Sequence, residues 1–258
     1  MTNLHTLNEH GYILLDDKEV GIDMADLSRA TAKFLADGEF ASLDGIEAAD
    51  DLLRYVSNVH AKETDNKKTA RIYQILPTVP VLLAASVNDK LLSCLNALGI
   101  ETPSLGTFPM VRIDRPGQTK FLTPWHQDHW FSFTSQNSVT IWAPMGHVTD
   151  KHGMLRVIPG SHRNGVIQFK EYAFGHEPFE PAEPINEAAA IDVFVPFGKV
   201  LLFRQQLLHK SGFNSSEECR VTLQIRYNDM HGQPHPFSTV GFASSQHVLE
   251  SQAKWLRA

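Results

Sequence analysis

Apolar residues in the first hundred positions recur at helical spacing. From Leu27, the apolar positions Ala30, Phe34 and Leu35 follow at intervals typical of a helix, and Asp37-Gly38 supplies a stop. A clearer apolar stripe, ended by Gly99, is formed by Val87, Leu91, Cys94, Leu95 and Leu98. These patterns predict two amphipathic helices, and the second should pack against a flat apolar surface, which we expect to be a sheet.

After Thr102 the pattern changes to short runs of β-branched and aromatic residues separated by Pro, Gly, Asn and Asp. Such runs predict strands, here over 108–114, 138–148, 154–158, 191–195, 200–204 and 220–227. The breaks predict turns at 115–117, 159–161, 196–198 and 214–216, and a long loop over the Pro- and Glu-rich stretch 177–187. Many short, evenly spaced strands favour a jelly-roll or cupin-like barrel.

Composition narrows the classes of partner. The 258 residues are 42% hydrophobic and 20% charged, which is typical of a globular protein. Lys and Arg number 23 against 29 for Asp and Glu, a formal net charge of -6, so a nucleic-acid partner is disfavoured and a small molecule is expected. Cys94 and Cys219 have no zinc-like spacing, and the N-terminus lacks a basic, apolar leader. We expect a cytoplasmic protein that does not bind membranes.

An HxD triplet, His126-Gln127-Asp128, stands near the start of the β-rich half. Residues two positions apart on an extended strand point to the same face, so His126 and Asp128 can reach one metal ion. His209 follows 81 residues after Asp128, where a strand would bring it back across the barrel. Two imidazoles and one carboxylate form the facial triad of non-haem iron(II) oxygenases. The triplet alone is weak support, because the chain has 13 histidines.

Basic residues on the later strands are candidates for binding anions. Arg220 follows His209 by 11 residues, and its planar guanidinium suits the carboxylate of a 2-oxo acid, although it also fits an exposed edge strand. Further candidates for the wall of a basic and aromatic pocket are His129, Trp130, His147, Arg112 and Arg226. Strand residues alternate between faces, so about half of these should face away. Among them we select Arg226 and His129 as substrate contacts.

Taken together, these residues resemble the phytanoyl-CoA dioxygenase family. The HQD triplet of that family appears as residues 126–128, and its GxLxVxPGSH stretch appears at 153–162 after Trp142. Its distal H-x-S followed by Arg appears as His209-Lys210-Ser211 with Arg220. The resemblance covers 108–227 well and the N-terminal part loosely. It departs at His152, where family members often carry Asn, and we interpret this histidine first as a loop residue.

The resemblance implies roles for individual residues. His126, Asp128 and His209 would bind iron(II), and Arg220 and Ser211 would hold the distal carboxylate of 2-oxoglutarate. Gln127, Trp142 and Met110 match family positions near that cosubstrate. The implied reaction converts 2-oxoglutarate and O₂ to succinate and CO₂ while hydroxylating an unactivated C–H bond of a small polar metabolite, with ascorbate as an optional reductant. Related halogenases carry a small residue at the place of Asp128, so hydroxylation is favoured over halogenation.

The implied fold is mainly β with flanking helices, a double-stranded β-helix with a helical N-terminal layer. We predict one domain over 1–258, with a helical support layer at 1–102, a β-helix core at 103–228 and a C-terminal extension at 229–258, as a monomer or homodimer. Two alternatives stay open. A cupin-like metal-binding or sensory protein would lack turnover and has no need of Arg220 and Ser211, whereas a metal-dependent hydrolase or epimerase would act without O₂.

Overall fold

Two antiparallel sheets pack against each other in the computed structural model, which describes residues 2–38, 51–62, 67–120, 122–129, 135–168 and 181–231. The larger sheet has the order β1-β7-β4-β9-β2, and β3 also pairs with β9; the smaller sheet has the order β6-β5-β8. The strands are β1 (Tyr12–Asp16), β2 (Pro103–Leu105), β3 (Met110–Asp114), β4 (Ser138–Pro144), β5 (Leu155–Val157), β6 (Ile191–Val193), β7 (Lys199–Arg204), β8 (His209–Lys210) and β9 (Arg220–Asp229). The predicted β architecture with flanking helices is confirmed.

Helices cover one face of the larger sheet. They are α1 (Thr2–His10), α2 (Met24–Asp37), α3 (Asp51–Lys62), α4 (Lys67–Ile75), α5 (Pro80–Ala85) and α6 (Asp89–Ala97). Val200 and Leu202 of β7 point into a core shared with these helices, whereas Leu201 and Phe203 point into a second apolar cluster between the two sheets. The strands therefore present every second residue to the space between the sheets, which is where the candidate site lies.

The two predicted helices are present, with corrections in detail. Helix α2 ends at Asp37 as expected, but its buried face includes Leu27, Thr31 and Leu35, and Phe34 is 40% exposed. The prediction that Phe34 lies on the buried face is therefore wrong. The buried residues lie four apart, and the polar Thr31 is one of them. Helix α6 buries Leu91 and Leu95 and contacts β2, which confirms that this helix packs against a sheet.

The strand predictions are also confirmed with corrections. β4 ends at Pro144 rather than at 148, because proline has no N–H to continue the ladder. Strand β1 lies within the stretch predicted to be mostly helical, and it pairs with β7 at the edge of the larger sheet. The residues beyond 231, and 177–180 of the predicted loop, lie outside the described residues.

Within the described residues, no single helix is long and apolar enough to cross a membrane. One bent pair, 70–78 with 80–97, meets the length and composition together, and its Leu76, Leu82 and Leu91 are buried in the core.

The two strands β1 and β7 offer a matched test of this core. We expect Leu202→Ala to lower the free energy of unfolding by about 2 to 5 kcal/mol, because Leu202 is fully buried and truncation leaves a cavity. Leu14→Ala on the neighbouring strand is the control, since Leu14 is 44% exposed and should cost under about 1 kcal/mol. Urea unfolding of both variants measures the difference. Equal losses would show that the helical layer does not pack on this face.

Candidate metal centre

His126 and His209 are brought together by a short β-bridge. The backbone N–H of each donates to the carbonyl of the other, at 3.0 and 3.1 Å. The Nδ1 atom of His126 lies 2.8 Å from the carbonyl oxygen of Pro124, and that of His209 lies 2.9 Å from the carbonyl oxygen of Leu207. A contact with a carbonyl places the proton on Nδ1, so each Nε2 can present its lone pair to a metal.

Asp128 completes the group. Its Oδ1 atom lies 3.6 Å from Nε2 of His126 and 3.8 Å from Nε2 of His209. Ligand atoms of the three residues lie within 4.8 Å of one another, and all three side chains are buried. Two imidazole nitrogens and one carboxylate on one side of a site suit a divalent transition metal such as iron(II), with positions left open for other ligands.

Electrostatics favour the protonation states that a metal requires. Burial alone would raise the pKa of Asp128, but the charge of Arg226 and the neighbouring histidines hold it well below its usual range. Burial, together with the charge of His126, lowers the pKa of His209 to about 3. Asp128 is therefore ionised and His209 is neutral near pH 7.

Two further side chains hold the Asp128 carboxylate. Thr140 Oγ1 donates to Oδ2 at 2.6 Å, and Arg226 Nη2 donates to Oδ1 at 3.0 Å. Thr140 and Arg226 are direct cross-strand partners on β4 and β9, so one register position of the larger sheet supplies both donors. Both oxygens of the candidate ligand are thus oriented before any metal binds.

These groups line a cavity of about 360 Å³ between the two sheets. Its volume is in the usual range for a small-molecule site. Charged, polar and apolar side chains share the wall, which is formed by Met110, Arg112, Thr123, His126, Asp128, Trp142, Leu155, Phe203, His209, Ser211, Arg220, Gln224 and Arg226.

Arg220 is buried and held by an acidic partner. Its Nη2 and Nε atoms donate to Oδ2 of Asp114, at 2.7 and 3.2 Å, and its Nη1 donates to the carbonyl of Gly153. Asp114 lies directly opposite Arg220 on β3, and its Oδ1 accepts from Nη2 and Nε of Arg112, at 2.7 and 2.8 Å. The guanidinium of Arg220 also lies over the Trp142 ring, 5.8 Å from its centroid. The alternative of an exposed edge-strand arginine is wrong.

The motif glycine Gly153 permits this arrangement. Its φ is +87°, and a Cβ atom there would lie 2.5 Å from the carbonyl oxygen of Gly212. A side chain would therefore push apart the segment that follows His209 and the carbonyl that Arg220 binds.

Some predicted site residues do not reach the cavity. Gln127 is buried and points away: its Nε2 donates to the carbonyls of Gly165 and Gln206, and its Oε1 accepts from the N–H of Ile167. His129 is buried but is not part of the cavity wall, and His147 is exposed against the Phe197 ring. Trp130 lies outside the described residues.

The loop interpretation of His152 agrees with its contacts. This side chain is buried, and its Nδ1 accepts from the backbone N–H of Thr149 at 3.0 Å, which caps a short 3-10 helix over Asp150–His152. Burial lowers its pKa.

Fold and site together define a double-stranded β-helix protein with a two-histidine, one-carboxylate centre. The family model described as Phytanoyl-CoA dioxygenase (PhyH) matches residues 7–222, and the chain belongs to this family. The resemblance drawn from the sequence is confirmed.

Individual relatives are distant. Peroxisomal phytanoyl-CoA dioxygenase of Bos taurus is 26% identical over 142 residues, covering 49% of this chain and 40% of that protein. L-proline trans-4-hydroxylase of Streptomyces griseoviridis is 29% identical over 136 residues, covering 44% of this chain and 51% of that protein. 1-Deoxypentalenic acid 11-beta-hydroxylase of Streptomyces exfoliatus is 25% identical over 224 residues, covering 79% and 71%. The chain spans about half or less of the length of the first two relatives.

Solved structures share the fold at low identity. EctD from S. alaskensis, crystallised with bound Fe, is 18% identical with a TM-score of 0.59, over 94% of this chain and 81% of that one. The epimerase SnoN, in complex with Fe3+, alpha ketoglutarate and nogalamycin RO, is 17% identical with a TM-score of 0.51, over 94% and 91%.

The hydroxyl of Thr140 provides a test of the candidate metal centre. We expect Thr140→Val to weaken divalent-metal binding about 10- to 100-fold, because it removes a hydrogen bond that orients the Asp128 carboxylate. Thr140→Ser keeps the hydroxyl and should bind metal nearly as well as the unaltered protein. Titration calorimetry with Mn²⁺ measures all three proteins. Unchanged affinity in the valine variant would mean that the Thr140 hydrogen bond does not orient Asp128 for metal binding.

Proposed function

We propose that this protein is an iron(II)- and 2-oxoglutarate-dependent oxygenase that hydroxylates a C–H bond of a small polar metabolite. The observation that carries this proposal is the combination in one cavity of the His126, Asp128 and His209 group with the buried guanidinium of Arg220. Metal ligands alone fit any cupin-like protein, whereas a fixed cation in the same cavity fits a dicarboxylate cosubstrate.

The donor set fits iron(II), and the three residues would hold it through Nε2 of each histidine and the Asp128 carboxylate. When bound, the iron supplies the oxidative decarboxylation of 2-oxoglutarate by O₂ to succinate and CO₂, together with oxygen transfer to the substrate.

The remaining residues bind and orient. Arg220 would hold the distal carboxylate of 2-oxoglutarate, with Ser211 as a second donor and Asp114 fixing the guanidinium from behind. The rings of Trp142 and Phe203 form an apolar wall that excludes water from the cosubstrate. Met110 lies on the same wall, opposite Gln224 in the sheet register, which supports its predicted place near the cosubstrate.

The contacts of Gln127 favour a different role from the one that the resemblance implied. Its three hydrogen bonds tie the metal-binding triplet to Gln206, close to His209, and to the 165–167 segment. Gln127 would thus position the ligands rather than contact the cosubstrate.

Hydroxylation is favoured by the carboxylate at position 128 and by two relatives that are named as hydroxylases. A structure of similar fold is that of an epimerase, so another oxidative outcome on the same cosubstrate is the second candidate. Product analysis by mass spectrometry separates them, because hydroxylation adds one oxygen atom and epimerisation leaves the mass unchanged.

The direct test is succinate formation from 2-oxoglutarate. The purified protein with iron(II), O₂ and 2-oxoglutarate should form succinate, and Asp128→Ala should reduce the rate to that of the protein-free solution, because a metal ligand is lost. His5→Gln is the control, since His5 lies on α1 with a 79% exposed side chain. Circular dichroism establishes that both variants are folded. Undiminished succinate formation in Asp128→Ala would contradict the ligand assignment, and O₂-independent turnover would indicate a hydrolase or epimerase.

Arg220 gives a second test, which concerns the cosubstrate alone. We expect Arg220→Gln to raise the KM for 2-oxoglutarate about 10- to 100-fold, because a charge-assisted hydrogen bond to its carboxylate is lost. Mn²⁺ affinity should stay within about twofold, since Arg220 makes no contact with the three candidate ligands among the described residues. Arg163→Gln, at an exposed arginine, is the control. A fall in metal affinity with an unchanged KM would assign Arg220 to the metal centre instead.

A further inference from the structure

Three arginines line the cavity, and two carboxylates oppose them among the described residues. Arg112, Arg220 and Arg226 form part of the wall. Asp128 lies in the wall, and the buried Asp114 lies behind it between Arg112 and Arg220. His126 and His209 would bind the metal as neutral imidazoles, so they add no charge. The described residues around the cavity therefore carry one more positive charge than negative charge.

The proposed function does not remove this excess. A divalent metal adds two positive charges, and 2-oxoglutarate adds two negative charges. The fully loaded site therefore keeps a single positive charge. A charge that stays buried without a counter-charge is costly, because the protein interior solvates it far less well than water does.

The excess charge is best assigned to Arg226. Arg220 shares Asp114 with Arg112, and its remaining donors would meet the cosubstrate. Arg226 shares its carboxylate with the metal, because Asp128 would bind that metal through the same side chain. A divalent ion on Asp128 weakens the attraction of this carboxylate for the guanidinium.

Arg226 also has a hydrogen-bond donor to spare. Its side chain is 9% exposed and belongs to the cavity wall. Its Nε atom is buried and makes no hydrogen bond among the described residues, and its contact with Gln224 Oε1, made through Nη2, is long at 3.4 Å. Both hydrogen bonds of the guanidinium among the described residues run through Nη2, which leaves Nη1 as the donor for a ligand in the cavity.

We propose that the primary substrate is a monoanion whose carboxylate binds Arg226. This inference rests on the proposed function and narrows its substrate class from a small polar metabolite to a carboxylic acid with an apolar remainder. The guanidinium matches the planar geometry of a carboxylate, and the single excess charge matches one carboxylate better than a doubly charged phosphate. Phe203, Leu155 and Met110 supply apolar wall for the rest of the molecule.

The position of Arg226 has a consequence for the reacting bond. Its Nη2 lies 3.0 Å from the oxygen of Asp128 that faces both histidines. A carboxylate on Arg226 is thus anchored beside the metal ligands, whereas Arg220 lies six residues earlier on the same strand and is paired with Asp114 instead. Arg226 and Arg220 therefore bind different anions, the substrate and the cosubstrate.

The test compares acids with their amides, which have nearly the same shape and no charge. The probes are 3-methylbutanoate with 3-methylbutanamide and cyclohexanecarboxylate with cyclohexanecarboxamide. Each is titrated by calorimetry into the protein loaded with Mn²⁺ and 2-oxoglutarate, so that no turnover is needed. We expect each acid to bind at least about tenfold more tightly than its amide, through a charge-assisted hydrogen bond and the neutralised charge.

Three variants then locate the effect. Arg226→Gln should bring the acid and amide of each pair within about twofold of each other, and Arg226→Lys should keep part of the preference, because the charge remains while the fork is lost. Arg163→Gln should keep the full preference. Thermal unfolding establishes that each variant is folded. If Arg226→Gln is unfolded, a reduced acid preference in Arg226→Lys tests the same contact.

The possible results distinguish a failure of this inference from a failure of the proposed function. If 2-oxoglutarate does not bind to the Mn²⁺-loaded protein, the proposed function fails and the substrate class falls with it. If 2-oxoglutarate binds but the acids and amides bind alike, the inference about Arg226 alone is overturned. A preference for acids that survives in Arg226→Gln also overturns it, because another cation would then hold the carboxylate.

Discussion

The buried carboxylate of Asp128 is the group on which the rest of the site depends. It is 2% exposed, and such a charge is stable only because Arg226, Thr140 and two imidazoles surround it. Each of these partners comes from a different part of the chain, so the carboxylate also fixes how those parts meet. The β-bridge between His126 and His209 brings the small sheet to the HxD segment, and the Thr140 and Arg226 pair brings the large sheet to it.

Because side chains alternate along a strand, β9 presents one face to the core and the other to the cavity. In β9, residues 221, 223, 225 and 227 pack into the core with the helices, whereas residues 220, 224 and 226 line the cavity. A shift of one residue in register would bury the arginines among the helices and expose the apolar residues to the cavity. The apolar face therefore holds the polar face in place, and among the described residues no helix contributes to the cavity wall.

The sequence predicted the candidate metal ligands, the buried Arg220 and the β-rich half because each follows from the spacing of residues along the chain. Asp114 and Thr140 were not predicted as site residues, since each acts through a cross-strand contact that only the register defines. The alternation within the predicted strands 108–114 and 138–148 already places Asp114 and Thr140 on cavity faces, but it does not say which strand lies opposite. Strand β1 was missed because its five residues follow a helix and resemble the apolar face of another. The hydrogen bonds of Gln127 could not be predicted, because a family position names a residue and not the direction of its side chain.

The arrangement links substrate recognition to metal binding. Arg226 contacts the carboxylate that would ligate the metal, and the same guanidinium forms part of the cavity wall. Metal on Asp128 weakens the pull of that carboxylate on Arg226, so the arginine attracts an anion most strongly once the metal has bound. By reciprocity, an anion on Arg226 relieves the repulsion between guanidinium and metal and strengthens metal binding. A cavity built in this way favours the loaded state over partly loaded ones, because each charge that enters is balanced by the one that follows.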